Sequence, residues 1–223
     1  MFTISPSVYS ADLMNLRQVL SSLQGFEHLH LDVDDGNFVR GISFGMDVIQ
    51  GIARCTDIPL DAHLEVLNPM DYVDPLCESG VETICAHIEV LDYPSLFLNR
   101  VHGYGCRAGL ALNIKTPAVF LEPYAQYLDQ VIVVSCEMDD NGLKFSDGIL
   151  KKIYEIRKML GNRVNIWADG GVNIDCLKHV IAAGADGVVI GRAVFGEKDP
   201  SEAYRRLLEA GRIYEKECER NDV

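Results

Sequence analysis

The sequence predicts an α/β protein, a single (β/α)8 barrel of the TIM type spanning residues 1–223. Three observations predict it. Short apolar runs alternate with longer amphipathic segments along the whole chain, the signature of parallel strands joined by helices. Eight such runs occur, at residues 3–7, 28–32, 60–64, 83–87, 108–112, 131–135, 164–168 and 187–190. Their spacing, one every 25–30 residues or so, is that of a compact barrel of eight β/α units. With 223 residues, 48% of them hydrophobic, the chain has the material for one large core, and no linker or low-complexity tract divides it.

The run from His28 to Phe38 shows how a strand is read. Side chains alternate faces, so His30, Asp32 and Asp34 share one side while Leu29, Leu31 and Val33 take the other and pack under a helix. An imidazole and two carboxylates are expensive to bury unless something uses them. The third run behaves alike and puts Asp61, His63 and Glu65 on one face.

Helix ends support the same layout. Asn173 caps a helix over 174–183, whose apolar stripe is Leu177, Val180 and Ile181 and whose stop is Gly184. Asp199, Pro200 and Glu202 supply the cap, the first position and the third position of the final helix. Ser146 ahead of 147–160, with Gly161 behind, repeats the pattern. Asn68 and Pro69 open a helix that contains Pro75, so that helix is either kinked or starts later.

Composition excludes several classes. A formal net charge of -13 argues against nucleic acid or an anionic membrane as partner, because both require a basic face. No apolar run approaches the roughly 20 residues that span a bilayer. The N-terminus lacks the basic region of a secretory signal. The seven cysteines, at 55, 77, 85, 106, 136, 176 and 218, have no Cys-x-x-Cys spacing and read as buried, reduced thiols of a cytoplasmic protein rather than a zinc site.

In a barrel of this kind the site forms at the C-terminal ends of the strands. The polar residues there are Ser7 on the first strand, His30, Asp32 and Asp34 on the second, and Asp61, His63 and Glu65 on the third. Asp169, Gly170 and Gly171 follow on the seventh, and Gly191 and Arg192 on the eighth.

These residues lie in segments that, taken together and in order, resemble the ribulose-phosphate 3-epimerase family over nearly the full length. The segments are SPSVYSAD (5–12), HLHLDVDDGNFV (28–39), ISFG (42–45), LDAHLEV (60–66) with Asn68 and Pro69, AGLALN (108–113) with Thr116 and Pro117, ADGGVN (168–173) and IGRAVF (190–195). The resemblance implies a ribulose-phosphate-binding type of barrel and a metal-dependent epimerase, an isomerase that inverts C3 of a ketose phosphate in pentose phosphate metabolism. It implies a divalent metal (zinc, manganese or iron) on His30, Asp32, His63 and Asp169. Asp32 and Asp169 are implied as the two acid/base groups that remove and return a proton on opposite faces of an enediolate, with Ser7 in contact with the substrate. Members associate as dimers or hexamers, so a homo-oligomer is expected.

Phosphate is expected on Gly170, Gly171 and Gly191 through their backbone N–H groups, with Arg192 as a direct contact or as a surface partner of Glu197 or Asp199. The loop at 137–145 keeps only Gly142 of the family's glycines and brings in Asp139 and Asp140. Asp34, Glu65 and Val134 stand where the family carries methionines. The two carboxylates are pocket residues that bind substrate hydroxyls, ligate metal or, for Asp34, pair with Arg40. Four carboxylates (Asp32, Asp34, Glu65, Asp169) crowded together are expected to raise one another's pKa unless a cation sits among them. His87, followed by Ile88 and Glu89, is expected to stand behind the metal ligands, and Asn113 to end the fifth strand. A phosphate-barrel decarboxylase is disfavoured, because the run at 61–66 has neither the lysine nor the final aspartate of its Asp-x-Lys-x-x-Asp array. A non-catalytic sugar-phosphate-binding barrel is the other alternative.

Overall fold

The computed structural model describes residues 1–137 and 144–221. Eight parallel strands, β1 (Thr3–Pro6), β2 (Leu29–Asp34), β3 (Leu60–Glu65), β4 (Thr83–His87), β5 (Arg107–Leu112), β6 (Gln130–Val134), β7 (Asn165–Asp169) and β8 (Gly187–Ile190), run in spatial order β1-β8-β7-β6-β5-β4-β3-β2. The edges β1 and β2 meet through a bridge between Ser7 and His30, which nearly closes the barrel. The helices are α1 (Leu16–Ser22), α2 (Met46–Ala53), α3 (Met70–Glu78), α4 (Pro94–His102), α5 (Gly148–Leu160), α6 (Ile174–Ala182), α7 (Arg192–Phe195) and α8 (Pro200–Asn221). Between β5 and β6 a 3₁₀ segment, Ala118–Tyr127, replaces the helix.

All eight sequence-read strands are present, shifted by two residues at most. Outward-facing side chains such as Leu29, Leu31, Val33, Ile84, Leu110, Val131 and Ile166 join helix residues in one continuous buried core. Inside the barrel a smaller apolar cluster, Cys85, Ala111, Ile132 and Val134, fills the β4–β6 side.

The caps hold with one exception. Asn173 Oδ1 accepts from the Asp175 N–H at 2.8 Å, and Asp199 Oδ1 accepts from the Glu202 N–H at 3.0 Å. Gly184, at φ 103°, ends α6 in the left-handed region. Ser146, however, does not cap α5: Asp147 holds the cap position without a side-chain bond, and Ser146 only accepts from the Ile149 N–H through its carbonyl. The question over Pro75 resolves in favour of a later start, at Met70. Pro75 lies within that helix, where it removes the bond to the Asp71 carbonyl. All seven cysteines are free; Cys85, Cys136 and Cys176 are buried and the other four half-buried. Among the described residues no helix is long and apolar enough to cross a membrane.

Candidate active site and metal centre

The register of β2 against β3 stacks the polar side chains in layers. His30 lies beside Asp61, Asp32 beside His63, and Asp34 beside Glu65, from the barrel interior towards its C-terminal mouth. Asp169 joins from the end of β7. His30, Asp32, His63 and Asp169 each offer one donor atom, all within 4.8 Å of one another.

Their hydrogen bonds decide which atoms are free. His30 Nδ1 bonds Asp61 Oδ1, and Ser5 Oγ donates to Asp61 Oδ2 at 2.5 Å. A carboxylate only accepts, so Nδ1 carries the imidazole proton and Nε2 presents a lone pair. That Nε2 lies 3.0 Å from Asp32 Oδ1 and 3.7 Å from Asp169 Oδ2, yet it is buried without a hydrogen-bond partner. A lone pair facing two carboxylates is repulsive, and a cation among them removes the repulsion. His63 Nδ1 faces the same point, 3.0 Å from Asp169 Oδ2 and 4.0 Å from Asp32 Oδ1. Donors on one ion at about 2.0–2.2 Å stand some 3–4 Å apart, so two imidazoles and two carboxylates here fit a divalent metal.

The electrostatics express the same demand for positive charge. Burial pushes the His30 imidazole down, but the Asp61 and Asp32 carboxylates outweigh it and hold it well above its ordinary value. Burial pushes Asp32 up, and His30, His63 and the Ser7 hydroxyl bring it down to about 2. Asp32 therefore departs from the expectation that all four carboxyls rise together. Its neighbours are imidazoles, whereas those of the next layer are acids. Burial, with Asp32 and Asp169 nearby, lifts Asp34 to about 6 although its hydrogen bond with Glu65 opposes the rise. Burial and the same carboxylates lift Glu65 well above its ordinary value. Asp34 Oδ1 and Glu65 Oε1 are buried without partners.

Above the donors opens a cavity of about 910 Å³. Asp32, Asp34, Glu65 and Asp169 line one side of it, and Gly170, Gly171, Gly191 and Arg192 line the other. Two of these glycines are required. A Cβ on Gly170, at φ 100°, would meet Cys136 Sγ at 2.4 Å, and one on Gly191 would meet Ser10 Oγ at 2.2 Å.

Residues 3–195 match the model of the ribulose-phosphate 3-epimerase family. The chain belongs to that family. The ribulose-phosphate 3-epimerase of Mycobacterium bovis is 34% identical over 92% of this chain and 90% of its own length. The enzyme of that name from Bacillus subtilis is 32% identical over 93% and 98%. The crystal structure of orotidine 5'-phosphate decarboxylase from Pyrococcus horikoshii shares the barrel, with a TM-score of 0.69 at 16% identity over 95% of this chain and 99% of its own. The ribulose-phosphate 3-epimerase family comprises isomerases, epimerases that act on carbohydrates.

The structure brings together all four donors that the family resemblance implies. Ser7 Oγ donates to Asp32 Oδ2 and also lines the cavity. Asn113 is not on the cavity wall; its backbone N–H donates to Glu89 Oε1 at 2.9 Å. Gly142 lies outside the described residues. Sequence reasoning gave Asp61 no role, although its alternation with His63 placed it on the same face. Tyr9, Ser10 and Cys136 also line the cavity unforeseen. Burial, with Asp169 and Glu65 nearby, pushes the Cys136 thiol up to about 12, so it stays protonated and is no nucleophile.

Proposed function

We propose that this chain is a metal-dependent epimerase that inverts C3 of a ketose phosphate. The observation that carries the reading is the convergence of His30 Nε2, Asp32, His63 Nδ1 and Asp169 beneath a cavity whose opposite wall is glycine and arginine. His30, Asp32, His63 and Asp169 would hold the divalent ion, and zinc, manganese or iron each suit such a mixed donor set. When bound, the ion supplies Lewis-acid stabilisation of negative charge on substrate oxygens, worth several kcal/mol.

Asp32 and Asp169 enter from strands β2 and β7 and supply the two proton-transfer groups. One carboxylate removes the proton from C3, the substrate passes through an enediolate, and the other returns a proton to the opposite face. Each such group contributes typically about 10²–10⁴-fold. The Ser7 hydroxyl orients Asp32 by donating to Oδ2. Gly170, Gly171 and Gly191 offer backbone N–H groups to the phosphate, and Arg192 on the same wall supplies positive charge. Asp34 and Glu65 on the facing wall favour, as a second reading, a keto-sugar phosphate other than ribulose 5-phosphate. We also propose that the chain forms one domain and assembles as a homo-oligomer.

Incubation in deuterated buffer with tetrulose, pentulose and hexulose phosphates tests both readings. Deuterium should enter C3 of at least one of them, and Asp32→Asn or Asp169→Asn should lower that exchange by about 10²-fold or more. No exchange across the series, or undiminished exchange in both variants, would overturn the proposal.

A further inference from the structure

Behind the donor set runs a second chain of buried hydrogen bonds. His63 Nε2 is 2.9 Å from His87 Nε2, and His87 Nδ1 is 3.1 Å from Glu89 Oε2. The other carboxylate oxygen, Glu89 Oε1, accepts from the Asn113 N–H at 2.9 Å and from the Thr116 hydroxyl. Lys152 Nζ donates to the carbonyls of Asn113 and Ile114, each at 2.7 Å, and so fixes the Asn113 peptide. Both imidazoles are fully buried, and the Glu89 side chain is only 16% exposed.

The proton directions in this chain follow from its ends. The Glu89 carboxylate accepts, so His87 Nδ1 carries a proton and His87 Nε2 is a lone pair. That lone pair accepts from His63 Nε2, which must then be protonated, and His63 Nδ1 is left with its lone pair facing Asp32 and Asp169. We infer that His87 and Glu89 are positioning residues that select the tautomer of His63 and thereby present Nδ1 to the metal. The inference rests on the metal site proposed above and adds to it two residues that touch neither ion nor substrate. Metal-bound histidines commonly need such a partner on the far nitrogen.

Glu89→Gln tests this with little change of shape. The Asn113 N–H can only donate, so the new side-chain carbonyl must face it and the amide NH₂ must face His87 Nδ1. Both imidazoles then reverse, and His63 Nδ1 acquires the proton. Zinc titrated into the full-length, metal-stripped protein against a chromogenic chelator should bind about 10–100-fold more weakly in this variant. Long-range ¹H–¹⁵N spectra of the metal-stripped protein should show the His63 proton on Nε2 in the wild type and on Nδ1 in Glu89→Gln. His87→Phe, which keeps a ring in the place of the imidazole, should weaken zinc binding by a similar factor.

Unchanged zinc affinity in both variants, with wild type binding one equivalent, would overturn the inference and leave the metal site standing. Two equivalents in the wild type, one of them lost in His87→Phe, would also overturn it, because His63, Glu65 and His87 would then hold an ion themselves. Failure of the wild type to bind zinc, manganese or iron would remove the metal site and this inference together.

Discussion

The two halves of the barrel interior are built on opposite rules. From β4 to β6 the lumen is filled by Cys85, Ala111, Ile132 and Val134, which need only volume. From β1 to β3, and on β7, the same inward positions carry Ser5, Ser7, His30, Asp32, Asp61, His63, Glu65 and Asp169. Those groups need partners, and nearly every one is hydrogen-bonded to another from a different strand. The apolar wall supplies stability and the polar wall supplies chemistry, at the cost of buried atoms that only a bound cation or ligand can satisfy.

The contrast is broken most severely by emptying the apolar wall. Ile132→Ala should cost about 2–5 kcal/mol of stability, since Ile132 is fully buried and its removal leaves a cavity. Urea denaturation measures that loss. Zinc affinity of the folded protein should not change, because Ile132 belongs to the apolar cluster. A loss of metal binding would mean that the two walls are mechanically one.

A smaller effect sharpens the comparison within the polar wall. Asp61→Asn keeps the shape beneath His30 and removes one charge. The Ser5 hydroxyl can turn from donor to acceptor, so the new amide NH₂ can face it while the carbonyl continues to accept from His30 Nδ1. Zinc affinity should therefore fall only about tenfold, about 1.4 kcal/mol. Glu89→Gln should do more, because the backbone N–H opposite it cannot reverse. Equal losses in the two variants would show that charge, and not proton direction, governs both histidines.

Much of this was legible in the chain. Period-two alternation assigned His30, Asp32 and Asp34 to one face and Leu29, Leu31 and Val33 to the other, and the structure keeps that division. The cap at Asn173 and the stop at Gly184 were readable because both act over a few residues. The pairing of His30 with Asp61, or of His63 with His87, was not. Each depends on the stagger between neighbouring strands, which places side chains from different strands at one height and has no local signal. The depression of Asp32 was hidden for the same reason, since it depends on which neighbour is an imidazole. Ser146 misled because a serine before an apolar run is equally good one residue outside a cap.

The smallest effect lies on the seam between the halves, at Glu89. Burial pushes this carboxyl up, but the His87, Thr116 and Asn113 hydrogen bonds bring it down to about 2, from an ordinary value of 4.5. A carboxyl depressed by folding adds stability above its unfolded value, and that stability disappears as pH falls through the folded value. The contribution is therefore complete above about pH 4.5 and declines towards pH 2. Solvent reaches part of this side chain, so the effect should amount to about 1 kcal/mol. In metal-stripped protein, where zinc linkage plays no part, the stability gap between wild type and Glu89→Gln should narrow from pH 6 to pH 3. The Glu89 carboxyl ¹³C shift should show no titration midpoint near 4.5. A midpoint there would mean that His87 is held by something other than Glu89, and the proton direction assigned to His63 would lose its anchor.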